Sequence, residues 1–148
     1  MTEPKFDFSM KYKKLEDTAL PPQKAHDGDL GWDLFSLDDP IIPPFNSRLV
    51  RTGIAIGFPP NVGGILKDRS GIASEQGLFI HAGVIDPGYT GEIQVLIYNS
   101  RKVPVEIKAG AKIAQMILMP VFNVSELKEV DELDATDRGT AGFGSSGT

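Results

Sequence analysis

Five short stretches of the 148-residue chain hold residue types that could act on a phosphorylated ligand. In Lys67-Asp68-Arg69-Ser70-Gly71 a fork-shaped cation, a hydroxyl and a conformationally free glycine follow an apolar run, a set suited to gripping phosphate oxygens. In Gly83-Val84-Ile85-Asp86-Pro87-Gly88-Tyr89, Asp86 starts a turn that Pro87 and Gly88 favour. Its apolar neighbours Val84, Ile85 and Tyr89 predict a carboxylate held against water, as suits a general base. Asp33, in Gly31-Trp32-Asp33-Leu34-Phe35, is an acid inside an apolar run, so burial would oblige it to find a metal-bound water, an arginine or backbone N–H groups. Gln115 is likewise polar among Ile113, Ala114, Met116 and Ile117. Arg138 is the only cation after Lys128, and the glycines of Gly142-Phe143-Gly144-Ser145-Ser146-Gly147 let backbone N–H groups close around an anion beside two hydroxyls. Each stretch also has a plain structural counterpart: a charged turn at Arg69, a turn former at Asp86, a wet-face strand residue at Gln115, and a Gly/Ser tail at the end. The last stretch matches G-x-G-x-x-G, but a dinucleotide fold needs a helix after it, and here the given sequence stops.

Composition narrows the chemistry. With no cysteine and only His26 and His81, thiolate nucleophiles, disulfides and a histidine-built zinc site are set aside. The net charge of −5, with 15 cations scattered along the chain, argues against a general nucleic-acid binder. The chain shows no apolar run of membrane-spanning length, and its opening MTEPKFDFSM lacks the basic start and apolar stretch of a signal peptide. An intracellular, cytoplasmic protein without a membrane partner is expected.

The elements that must carry these residues read as short strands. The 16 Gly and 11 Pro punctuate the chain too often for a helical bundle. Period-two alternation marks Phe6, Phe8, Met10 and Tyr12 as a first strand with one buried face, and returns at Ile54, Ile56 and Phe58, at Ile93, Val95 and Ile97, and at Val103, Val105 and Ile107. Residues 113–121 form a nearly continuous apolar run, residues 71–76 could make a helical turn, and residues 81–92 read as a hairpin. Many short strands separated by turn signals predict an all-β barrel or sandwich over residues 1–124. Residues 125–138 carry six acids and two bases and precede the Gly/Ser-rich end, so residues 125–148 read as a flexible, solvated C-terminal arm.

Taken in order, the five stretches resemble the five sequence motifs of the trimeric dUTP pyrophosphatases, the dUTPases. The matching residues are Gly31-Trp32-Asp33-Leu34, Arg69-Ser70-Gly71, Gly83-Val84-Ile85-Asp86 with Tyr89 and Gly91, Ile113-Ala114-Gln115, and Arg138-Gly139 with residues 142–147. The resemblance implies a distorted jelly-roll β-barrel assembled as a homotrimer, with active sites shared between subunits and the arm of one chain closing over a neighbour's site. It implies hydrolysis of dUTP to dUMP and pyrophosphate, which limits uracil incorporation into DNA and supplies dUMP for thymidylate synthesis. Asp86 would be the general base for water attacking the α-phosphorus. Mg2+ would ride on the triphosphate, with Asp33 touching it through water. Arg69, Ser70, Gly71, Gln115, Arg138, Gly144, Ser145 and Ser146 would hold the phosphates. The backbone of Gly83, Val84 and Ile85 would read the uracil edge, Tyr89 would pack on the deoxyribose, and Phe143 would cover the base.

Asp68 stands where the family usually has proline, and its side chain is expected to point away from the phosphates. A dCTP deaminase shares the architecture but needs a glutamate on the strand after the third motif, where this chain has Leu96, and its second motif tends to read Arg-Ser-Ser. A non-catalytic nucleotide-binding or regulatory β-barrel would be expected to lose the acid or the arm motif, and both are present.

Overall fold

The computed structural model describes residues 9–141; Phe6, Phe8, Phe143, Gly144, Ser145 and Ser146 lie outside the described residues. Alternating apolar residues form ten strands: β1 (Lys11–Lys14), β2 (Gly31–Phe35), β3 (Ile41–Ile42), β4 (Ser47–Gly57), β5 (Val62–Lys67), β6 (Leu78–His81), β7 (Val84–Ile85), β8 (Glu92–Asn99), β9 (Val105–Glu106) and β10 (Lys112–Pro120). The one helical element among them is a π-turn at Ile72–Gln76, where the sequence predicted a helical turn. All pairings are antiparallel. One sheet runs β1-β4-β8-β6, a second β2-β10-β5-β7, and β3-β9 forms a small third.

The core lies where the two large sheets turn their apolar faces together. β8 buries every second residue, bringing Ile93, Val95 and Ile97 against Ile54 and Ile56 of β4 and Leu34, Leu66, Ile85 and Met116 of the other sheet. Two buried polar side chains are satisfied in place. The Thr52 hydroxyl donates to Ile93 O at 2.6 Å, where β4 slips register against β8. Asn99 donates to Ile42 O at 3.1 Å and to Val103 O at 2.8 Å, tying β3 to the end of β8.

Three local expectations change. β1 covers only four residues, all exposed in the single chain, because Lys11, Lys13 and Lys14 occupy a sheet edge. The Val103 to Ile107 alternation contributes only the two-residue β9, with Val103 exposed. Residues 81–92 are not a hairpin. The turn at Asp86 forms, with Tyr89 N–H donating to Asp86 O at 3.1 Å, but the strands on either side pair elsewhere, β7 with β5 and β8 with β4 and β6.

The crossing from β6 to β7, and so from one sheet to the other, takes two residues. Ala82 at φ 59° and Gly83 at φ 104° both adopt positive φ. At Gly83 a Cβ would stand 3.0 Å from Leu66 O, and the Gly83 carbonyl accepts from Leu66 N–H at 2.8 Å, so the backbones are too close for a side chain. We predict that Gly83→Ala destabilises the protein by about 1–3 kcal/mol, read as a lower denaturation midpoint with an unchanged slope.

Candidate active site

The predicted residues gather around two separate concavities. The first, about 310 Å³, is walled by Ala82, Gly83, Val84, Ile85, Asp86 and Tyr89 on one side and by Glu92, Gln94 and Leu96 of β8 on the other. Strand periodicity decides what faces it. Ile85 points into the core, so Val84 and Asp86 point out, and Val84 is 78% exposed. The expected shielding of Asp86 by its apolar neighbours is therefore absent in the single chain: the carboxylate stands at the exposed rim. The Tyr89 hydroxyl donates to Glu92 O at 2.8 Å. Glu92 is itself fixed, because its carboxylate accepts from Gly53 N–H at 2.8 Å and pairs with Arg51 at 3.2 Å. Residue type alone does not mark Glu92, since its contact with Tyr89 runs through its backbone carbonyl.

The second concavity, also about 310 Å³, is built where β2, β10 and β5 lie side by side. It holds Asp33, Arg69, Ser70, Gly71 and Gln115 together, with Asp29 and Gly31 at its edge. In register, Gln115 of β10 sits between Asp33 of β2 and Lys67 of β5, so the three project from one face of the sheet. Gln115 Nε2 donates to Asp68 O at 2.8 Å and ties down the turn that carries Arg69. The approach is tight: a Cβ on Gly31 would meet Gln115 Oε1 at 2.5 Å. Asp68 turns its carboxylate away, onto Ile80 N–H of β6.

Asp33 is the one ionised side chain in the buried set of described residues, 7% exposed. Its Oδ1 lies 3.0 Å from Arg69 Nε and its Oδ2 2.8 Å from Lys112 Nζ. Burial obliges Asp33 to have a partner, and arginine is one of those expected; regular strand alternation does not point to Lys112. Among the described residues no three His, Cys, Asp or Glu side chains come together as a metal cage.

Arg138 lines neither concavity. Its Nε donates to Ala141 O at 3.1 Å, and every residue of 119–141 is exposed.

Comparison with known proteins decides what family carries this arrangement. The dUTPase family model matches residues 17–147. The chain belongs to the dUTPase family. Among curated dUTPases, named deoxyuridine 5'-triphosphate nucleotidohydrolases, that of Clostridium kluyveri is 46% identical over 138 residues, covering 92% of this chain and 96% of that protein. That of Clostridium acetobutylicum is 40% identical over 141 residues, covering 94% and 97%. The dUTPase of Staphylococcus bacteriophage 80alpha, solved with dUPNHPP, superposes with a TM-score of 0.88 at 29% identity, over 95% of this chain and 99% of that one. A mutant dUTPase from phage phi11 of S. aureus, whose structure describes the coordination of a structural Mg(II) ion, gives 0.80 at 27% identity over 86% and 100%. The two paired sheets are thus the dUTPase jelly roll, and Leu96, where a deaminase would need glutamate, lines the Asp86 concavity of this dUTPase fold.

Proposed function

We propose that the protein hydrolyses dUTP to dUMP and pyrophosphate, with Asp86 as general base. The observation that carries the reading is the position of Asp86, at the mouth of a concavity walled by the Gly83–Ile85 backbone and Tyr89. Asp86 takes a proton from water as the water oxygen bonds to the α-phosphorus. The bond from that phosphorus to the α,β-bridging oxygen breaks, and pyrophosphate leaves with the electron pair. Backbone groups of Gly83, Val84 and Ile85 pair with the uracil edge. Cytosine presents a donor where uracil presents an acceptor, and a mispaired buried polar group costs about 1–3 kcal/mol. Tyr89, anchored on Glu92 O, packs on the deoxyribose and leaves no room for a ribose 2′-hydroxyl.

Arg69, Ser70, Gly71 and Gln115 hold the phosphates, joined by Arg138, Gly144, Ser145 and Ser146 of the arm, while Phe143 covers the uracil. Two features of the single chain support a homotrimer with shared sites. The Asp86 and Arg69 concavities have no lining residue in common, and Arg138 lines neither. One subunit's base-reading turn facing a neighbour's phosphate grip, with an arm closing over both, completes a site that one chain leaves divided. On this reading residues 1–124 are the catalytic barrel and residues 125–148 the arm; the last strand ends at Pro120.

The donor set suits magnesium that arrives on the triphosphate rather than in a protein cage. With each Asp33 oxygen already facing a cation, that carboxylate reaches the ion through water. When bound, magnesium offsets phosphate charge. The activity removes dUTP before a polymerase can insert uracil and supplies dUMP for thymidylate synthesis. An intracellular, cytoplasmic site of action fits that chemistry, and among the described residues no helix is long and apolar enough to cross a membrane.

Pyrophosphate release from dUTP, dCTP, dTTP and UTP with magnesium tests the reading. Turnover of dUTP should exceed each of the others by at least about 100-fold. Equal use of UTP would reject the role given to Tyr89, and dCTP loss with ammonia release would favour a deaminase.

A further inference from the structure

Lys112 reaches Asp33 only because β10 is irregular. Register between β10 and β2 runs Ala114↔Leu34, Gln115↔Asp33 and Met116↔Trp32, then shifts so that Lys112 lies opposite Phe35. Ile113 is the extra residue, and both Ile113 and Ala114 are buried. In an unbroken strand Lys112 would share the core face of Ala114 and Met116. The bulge turns it onto the face of Gln115 and Asp33, and re-aiming a side chain is what such bulges do.

The result is a buried carboxylate between two cations, one per oxygen. An arginine paired alone with an aspartate is neutralised and offers little to an anion. With Lys112 on the second oxygen the trio carries a net charge of +1. Asp33 meets Arg69 at Nε, and the terminal guanidinium nitrogens, the ones suited to bidentate contact with phosphate, make no hydrogen bond among the described residues that line the concavity with Ser70 and Gly71.

We propose that Lys112 is a positioning residue of this site: it holds Asp33, which aims Arg69, and it supplies the charge that keeps the group attractive to a polyphosphate. This rests on the dUTP reading above. Lys112 need not touch substrate. It sets the aim and the field of a residue that does.

The test compares two ligands by calorimetry, a non-hydrolysable imido analogue of dUTP and dUMP, on the full chain and on Lys112→Met, Lys112→Arg and the double variant Asp33→Asn/Lys112→Met. Lys112→Met should weaken analogue binding about tenfold and dUMP binding less than about twofold. Lys112→Arg should return the analogue to within about threefold of the unaltered chain. The double variant buries no unpaired charge, so it keeps the comparison decisive if the single variant does not fold. It should bind the analogue more tightly than Lys112→Met, because Arg69 is no longer neutralised, yet more weakly than the unaltered chain, because the carboxylate that aims Arg69 is gone. Equal weakening of both ligands, or none of either, would overturn the positioning role. Failure of the unaltered chain to bind either ligand would overturn the dUTP reading itself, and this inference with it.

Discussion

Asp86→Asn should lower kcat for dUTP by about 10³–10⁴-fold while leaving KM within about threefold. The amide keeps the shape of the carboxylate, so the turn and the concavity it lines should be unaltered. What disappears is the proton acceptor, and a positioned general base contributes roughly 10²–10⁴ in rate. The larger end applies here because Glu92, the other acid lining the concavity, is already held by Gly53 N–H and Arg51 and is not placed to substitute. Removal of a negative charge near the phosphates should leave binding of the imido analogue equal or slightly tighter. Single-turnover pyrophosphate release together with analogue titration measures both quantities. A loss of kcat under about tenfold would mean that the water is activated by something else.

How far this site was legible in the sequence depended on whether the relevant contact was local. Turn chemistry is local, and the Asp86-Pro87-Gly88 turn forms where those residues favour it. The burial of Ile54, Ile56, Ile93, Val95 and Ile97 is also local, since period two needs only the strand itself. Sheet membership is not local. Residues 81–92 contain strand, turn and strand, yet β7 and β8 belong to different sheets, because the positive φ at Ala82 and Gly83 redirects the chain before the turn begins. Asp86 is unshielded in the single chain for a related reason. Sequence neighbours on a strand point to opposite faces, so apolar Ile85 next to Asp86 says that Asp86 points outward.

Asp33 and Lys112 show the same limit at the Arg69 concavity. That a buried acid needs a partner follows from electrostatics alone, and one partner is an arginine from the second motif. Lys112 is hidden by the bulge, because regular alternation assigns it to the core side of β10. One sequence signal could have exposed it. A lysine ahead of Ile113-Ala114, two adjacent apolar residues followed by Gln115, breaks strict alternation at the place where the register slips.

A chain ending at Asp137 should fold as well as the full chain and lose about 10²–10³ in kcat/KM for dUTP. Stability should be unchanged to within about 1 kcal/mol, because the described residues from 119 onward are all exposed and contribute nothing to the core. Activity should fall because Arg138, Phe143, Gly144, Ser145 and Ser146 are removed together, and with them phosphate contacts and exclusion of water from an Asp86 that the barrel alone leaves exposed. The same variant tests whose arm closes the site. Co-refolding it with full-length Asp86→Asn mixes chains that have the base but no arm with chains that have the arm but no base. If the arm acts within its own chain, no site in the mixture holds both, and activity stays at the sum of the two parents. If it acts between chains, an equal mixture has the base from one chain and the arm from another in about a quarter of its sites, so about a quarter of full activity should return. Recovery near that fraction requires an arm that crosses between subunits, and its absence in a verified mixed trimer would confine each arm to its own barrel.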